Sequence, residues 1–125
     1  MLVDTDVLIW HLRGYHPAAQ RLDQLSALTL SAMSYLELIQ GMRNKTELAA
    51  VRKMLSLRNA NVLPITPAIT QRATGLMEDL ALSHGLQAAD ALIAATALEH
   101  GLPILTGNSK HFEAVASLAV ERFEP

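Results

Sequence analysis

The chain has no cysteine among its 125 residues. That excludes a disulfide framework and any thiolate metal site, and it suits a reducing cytoplasm. Internal repeats, low-complexity tracts and long Gly/Ser/Pro-rich linkers are also missing, so residues 1–125 read as a single globular domain. Every apolar stretch is too short or too interrupted to span a bilayer, and no membrane association is expected. The N-terminus lacks the basic flank, apolar run and small-residue cleavage site of a secretory signal, because Asp4 and Asp6 interrupt the first hydrophobic run at once. Positive charge is not in excess either: Lys and Arg number 10 against 12 Asp and Glu, a formal net charge of −2. This excludes a protein that holds nucleic acid mainly by blanket neutralisation of phosphates. The basic residues Arg43, Lys45, Arg52, Lys53 and Arg58 do gather in one stretch. They read as a solvated helix face that can also steer a polyanion.

What the chain does have is alternation. Residues 1–4 form a short apolar strand, and Thr5 can cap a helix through Val7, Leu8 and Trp10 to Gly14. A second helix is predicted from Pro17 to Leu25, and a second strand at Leu28-Thr29-Leu30. Ser31 or Ser34 starts a helix carrying Leu36, Glu37, Leu38 and Ile39, followed by an amphipathic helix over 47–57. Val62–Ile65 reads as an edge-compatible strand, since Pro64 cannot donate to a ladder. Pro67 opens a long helix that Gly85 stops, Asp90 begins an Ala-rich helix, and Pro103–Thr106 reads as a buried strand. A short helix over 109–115 and a strand over 118–122 complete the pattern. The expected fold is α/β, a three-layer α/β/α sandwich around a mostly parallel sheet of four to five strands. Met side chains and Trp10 are assigned to the core.

In such a fold, residues after the strands share one sheet edge, where α/β proteins place their sites. Asp4, Glu37 and Asp90 all fall at that kind of position. Each has a simpler explanation alone: Asp4 and Asp90 complement a helix dipole, and Ser34-Tyr35-Leu36-Glu37 matches a capping box. If Ser31 is the cap instead, Glu37 lies inside its helix among apolar neighbours, where a charge calls for a partner or a metal. Should the three acids converge to roughly 4–5 Å, each pair would repel by about 3–4 kcal/mol at an effective dielectric near 20. A divalent cation with a preference for hard oxygen donors, Mg²⁺ or Mn²⁺, removes that repulsion. Asn108 reads either as a left-handed turn residue after Gly107 or as an amide holding water near the ion. Thr5 and Thr106 can hydrogen-bond the carboxylates. Asp6 is expected to point elsewhere, and the five histidines show no paired ligand spacing, which assigns them to surface or packing.

The stretches LVDTDVLIW around Asp4, SAMSYLELIQG around Glu37, AADALIAATALEHGLPILTGN from Asp90 onward and TGNSKHF around Asn108 carry a resemblance over nearly the whole chain. The sequence resembles the PIN-domain nucleases, in particular the VapC-like toxins of bacterial toxin-antitoxin pairs. The resemblance implies Mg²⁺- or Mn²⁺-dependent endonucleolytic cleavage of RNA with 5′-phosphate products. It implies an acidic site at Asp4, Glu37 and Asp90, a cognate antitoxin that blocks that site, and a homodimer. Asn108 and His111 stand where the fully acidic form of the family often has aspartate, which weakens a second metal site. Two other readings follow from the same residues. One is a PIN-like module that binds RNA or protein without cleavage. In the other, Asp4-Thr5-Asp6-Val7 opens a haloacid-dehalogenase-type phosphatase, although no downstream lysine followed by paired acids supports it.

Overall fold

Two residue pairs set the layering of the protein. In β1 (Leu2–Val3) and β4 (Ile104–Thr106), Leu2 lies opposite Ile104 and Val3 opposite Leu105 in a parallel pairing. Successive strand side chains point to opposite faces. Leu2 and Ile104 therefore enter a core with Ile93, Ala94, Ala97 and Phe112, whereas Val3 and Leu105 enter another with Val7, Leu8, Leu38 and Val51. Helices cover both faces of the sheet, which is the three-layer arrangement predicted from the alternating pattern.

The computed structural model describes residues 1–125. From β1 the chain runs into α1 (Thr5–Leu12) and α2 (His16–Asp23), then β2 (Thr29–Ser31), α3 (Ala32–Gln40) and α4 (Lys45–Leu57). Next come β3 (Asn61–Leu63), α5 (Pro67–His84) and α6 (Ala88–Glu99). After β4, a 3₁₀ turn (Ser109–His111) leads to β5 (Val120–Arg122). No helix is long and apolar enough to cross a membrane.

All strand pairings are parallel, but the sheet is not one continuous ladder. The main sheet has three strands in the order β1-β4-β5, and β2 and β3 form a separate pair. This corrects the expectation of a sheet of four to five strands. β2 packs beside β1 without laddering to it, and the reason lies in the length of β1. The Leu2 and Asp4 amides already donate to the Pro103 and Leu105 carbonyls of the β4 segment, at 2.7 and 2.9 Å. Only Val3 then faces β2, and one residue cannot carry a ladder.

Local chemistry explains the remaining departures from the sequence pattern. Asp4, not Thr5, is the N-cap of α1: its backbone is extended and its carboxylate accepts the Thr5 amide. Ser31 is the cap of α3, its Oγ accepting the Ser34 amide at 3.0 Å, so the capping-box reading of Glu37 does not hold. Strand β3 stops at Leu63, one residue before the donor-less Pro64. Gly85 ends α5 in the left-handed conformation, φ 67°. The helix expected over 109–115 contracts to the 3₁₀ turn, with Phe112 and Val115 buried behind it. Trp10 is not a core residue: it is 37% exposed and packs at a tilt on Tyr15, ring centroids 4.9 Å apart.

Phe112 is fully buried among Leu2, Ile93 and Ile104 and anchors the turn that carries His111. Phe112→Ala is expected to lower unfolding free energy by about 3–5 kcal/mol in a urea titration, the usual cost of emptying an aromatic site. A loss below about 1 kcal/mol would show that this turn is not held by the core.

Candidate active site

Strand β1 ends in a buried carboxylate. Asp4 is 6% exposed, and each of its oxygens has a donor: Oδ1 accepts the Thr5 amide at 2.8 Å and Oδ2 accepts Thr106 Oγ1 at 2.8 Å. The second bond exists because parallel pairing of β1 with β4 brings both strand ends to the same edge. Thr106 Oγ1 in turn accepts the Asn108 amide at 3.0 Å, so one hydroxyl ties the loop after β4 to Asp4.

Since Asp4 takes the capping position, the Thr5 hydroxyl is free to act across the site. It donates to Glu37 Oε1 at 2.7 Å, fixing a side chain that projects from the interior of α3. Asp90 arrives from the opposite side, on the first turn of α6. Its Oδ2 lies 3.2 Å from His111 Nδ1. Asp4, Thr5, Glu37, Asp90, Thr106 and Asn108, the residues singled out in the sequence, thus gather at one edge.

Two residues join them that the sequence pattern placed elsewhere. Asp6 does not point away: its Oδ2 accepts the Gly107 amide at 2.9 Å and Asn108 Nδ2 at 3.1 Å. Helix geometry alone turns Asp6 from Asp4, but the loop after β4 comes to meet it. His111, expected to serve surface or packing, stands against Asp90. Its position in TGNSKHF, where the family often carries an acid, is the signal that marks it. Asn108 adopts φ −114° rather than a left-handed turn conformation, and its amide is engaged with Asp6.

The cluster is electrostatically frustrated. Burial, then the charge of Asp6, push the Asp4 carboxyl up to about 7, against the pull of its bonds to Thr106 and Thr5, and Asp90 adds a smaller push. Burial raises Asp90 as well, His111 opposes that rise, and the charges of Glu37 and Asp6 add to it. Asp6 is raised by burial and restrained by the amides of Val7 and Gly107. Hard carboxylate oxygens are the donor chemistry that Mg²⁺ or Mn²⁺ selects. No three His, Asp or Glu side chains close to metal-holding distance together, so the three-ligand shell is not preformed. One or two carboxylates completed by water and substrate phosphate is the arrangement Mg²⁺ commonly takes, and the edge fits that.

A polar cavity of about 290 Å³ is lined by Asn108, His111, Lys110 and Arg122 among others. A groove of about 510 Å³ runs between Ile9, Leu12 and Arg13 of the α1 segment and Met42, Arg43 and Ala50. Of the basic stretch, Arg43 pairs with Glu47 and Arg58 with Asp23, each at 2.8 Å, while Arg52 and Lys53 stay exposed on α4.

Comparison with known proteins points to one family. The family model described as PIN domain matches residues 1–118. Ribonuclease VapC10 of Mycobacterium tuberculosis is 40% identical over 116 residues, covering 90% of this chain and 85% of that protein. Ribonuclease VapC19 of the same organism is 34% identical over 116 residues, covering 89% and 90% respectively. Among solved structures, a chain of a toxin-antitoxin complex from Klebsiella pneumoniae superposes with a TM-score of 0.77 at 27% identity, covering 98% of both chains.

The raised Asp4 carboxyl has a consequence for stability. A carboxyl that binds its proton more tightly folded than unfolded contributes stability that is complete below the ordinary value of 3.8 and is lost as pH rises through about 7. Asp4→Asn is therefore expected to stabilise the metal-free protein at pH 8 by about 1–3 kcal/mol, and to give no such gain at pH 4. Urea unfolding at the two pH values measures this, and a variant less stable at both would contradict it.

Proposed function

The chain belongs to the PIN-domain family, and on that premise we propose that it is a VapC-type ribonuclease, the toxin of a toxin-antitoxin pair. The supporting observation is the convergence of Asp4, Glu37 and Asp90 from three separate segments, with Asp4 and Glu37 anchored through Thr106 and Thr5. The high identity to ribonucleases VapC10 and VapC19 supports the same reading.

In this reading, Asp4 and Asp90 would hold the divalent ion, and Thr106 keeps one Asp4 oxygen oriented. When bound, Mg²⁺ or Mn²⁺ offsets the charge of the scissile phosphate and lowers the pKa of the attacking water. Glu37 has Oε1 committed to Thr5, which leaves Oε2 to orient that water and take its proton. Water adds to phosphorus as the bond to the ribose 3′ oxygen breaks, leaving a 5′-phosphate on one fragment and a 3′-hydroxyl on the other. Lys110 and Arg122, across the polar cavity beside Asn108 and His111, offer cations to the flanking phosphates. The protein's small negative charge makes such local contacts necessary, because the overall field does not attract a polyanion.

A cognate antitoxin is the natural second partner. The groove lined by Ile9, Leu12 and Met42, together with Arg13, Arg43 and Glu47, suits an amphipathic segment of that partner. The Klebsiella pneumoniae chain of similar fold comes from a toxin-antitoxin complex. A homodimer and a cytoplasmic location complete the proposal.

Cleavage of single-stranded RNA is expected to stop in EDTA and to return with Mg²⁺ or Mn²⁺. Asp4→Asn and Asp90→Asn should each lower kcat on the order of 10²–10³-fold, the scale for losing one electrostatic partner of a transition state. Full metal-dependent cleavage by the purified Asp4→Asn variant would sink the assignment; metal-dependent binding of RNA without cleavage would favour the non-catalytic module. Removing Lys110 or Arg122 should flatten the salt dependence of RNA affinity by about 0.7 in log–log slope for each phosphate left without its cation. An unchanged slope would place the RNA elsewhere.

A further inference from the structure

We propose that Asp6 is a positioning residue, a clamp that holds the loop after β4 and thereby sets where Asn108 and His111 stand relative to Asp4 and Asp90. The proposal rests on the ribonuclease reading for its catalytic consequence, though not for the clamp itself.

The geometry is that of a tie between distant parts of the chain. Asp6 Oδ1 accepts the Val7 amide at 2.8 Å, and Oδ2 accepts both the Gly107 amide and Asn108 Nδ2. Both oxygens are thus occupied by N–H donors, which is the coordination of a structural acceptor rather than of a spare ligand. The loop is shaped to receive it. A Cβ on Gly107 would lie 2.6 Å from Asp6 Oδ2, closer than real Cβ atoms come to a neighbour, so any larger residue there would push the carboxylate off the loop. Positive φ is not the reason, since only Gly14, Gly85 and Gly101 among the glycines adopt it.

A simple dipole role does not account for this arrangement. The N-terminus of α1 is already capped by Asp4, and a second carboxylate two residues on adds repulsion within the cluster. What Asp6 uniquely supplies is a grip on the loop between two other anchors. Upstream, Thr106 is bonded to Asp4; downstream, Phe112 is buried in the core. Between them lie Asn108 and His111, and the clamp is the only hydrogen bonding from α1 to that interval.

The test uses three variants, Asp6→Ala, Asp6→Asn and Gly107→Ala, with two readouts. Amide hydrogen exchange at Gly107 and Asn108, followed by NMR, reports the clamp whether or not RNA is cleaved. Steady-state cleavage at varied Mn²⁺ reports the catalytic effect. Asp6→Ala is expected to speed Gly107 exchange about tenfold or more and to lower kcat about 10–100-fold, because small misplacements of site groups cost that much. KM for RNA and the half-saturating Mn²⁺ concentration should change less than about threefold, since Asp6 is not a ligand. Asp6→Asn can turn its amide oxygen to the loop and keep both bonds to it, giving up only the bond from the Val7 amide, so it should recover activity to within about threefold of the parent. Gly107→Ala should reproduce Asp6→Ala, and the double variant Asp6→Ala with Gly107→Ala should be no worse than either alone, because both break the same tie.

Parent-like cleavage by Asp6→Ala would overturn the proposal. So would unaltered Gly107 exchange, or a tenfold rise in half-saturating Mn²⁺, which would make Asp6 a ligand. An Asp6→Asn variant as impaired as Asp6→Ala would also overturn it, since charge rather than grip would then matter. If Asp6→Ala does not fold, Asp6→Asn and Gly107→Ala decide the question alone. If the parent protein cleaves no RNA, the ribonuclease reading fails while the exchange measurements still decide whether Asp6 clamps the loop.

Discussion

The hydrogen bond from Thr106 Oγ1 to Asp4 Oδ2 is the interaction on which the functional edge depends. It joins residues 102 apart in sequence, at the ends of two strands that are each only two or three residues long. A carboxylate buried to this extent costs several kcal/mol in desolvation unless donors meet it. Thr106 and the Thr5 amide are those donors, and each draws in another part of the site. Thr5, freed from capping, reaches Glu37; Thr106, through its second role as acceptor, holds the Asn108 amide. The position of the acidic cluster therefore follows from the parallel register of β1 and β4 and from the choice of Asp4 as cap.

Function and stability oppose one another at this edge. Asp4, Asp6 and Asp90 all have raised proton affinities, with burial the largest cause of each. Repulsion from neighbouring acids adds to it at Asp4 and Asp90. His111 is the one basic side chain in direct contact with a carboxylate there, and it touches Asp90 from a half-exposed position. The site is held together by neutral donors rather than by salt bridges, which leaves its negative charge available to a cation. The ion pairs of the protein, such as Arg58 with Asp23 and Arg72 with Glu99, lie away from the edge, where exposed pairs contribute little.

Two short strands also govern what surrounds the site. Because alternate residues of β1 and β4 enter different cores, helices α1 and α6 are fixed on opposite faces, and Asp4 and Asp90 approach the edge from either side. With so few ladder bonds, side-chain packing carries the layering, and the break between β1 and β2 is tolerated because Leu30 and Leu38 fill the same core as Val3. The fold thus depends on core shape more than on a continuous backbone network.

Much of this was legible in the sequence. Apolar runs separated by amphipathic segments specify strand-helix alternation, and parallel connections oblige successive strand ends to share an edge. Asp4, Glu37, Asp90 and Asn108 could therefore be brought together from their positions alone. What the sequence did not contain was the approach of distant segments to one another, such as the loop after β4 to α1. Ser34 and Ser31 were equivalent caps until the backbone chose Ser31. Asp6 looked like a dipole-stabilising acid because helix geometry is local, whereas its partners lie 101 and 102 residues away on a loop whose path is set by β4 register and the burial of Phe112. Of the five histidines only His111 stood where the resembled family often has an acid, but it took the turn after β4 to place it on Asp90. Periodicity and capping are properties of neighbouring residues, so the sequence determined the elements and which acids share an edge. Hydrogen bonds across long separations require the packed chain, so only the tertiary structure decided which groups hold those acids in place.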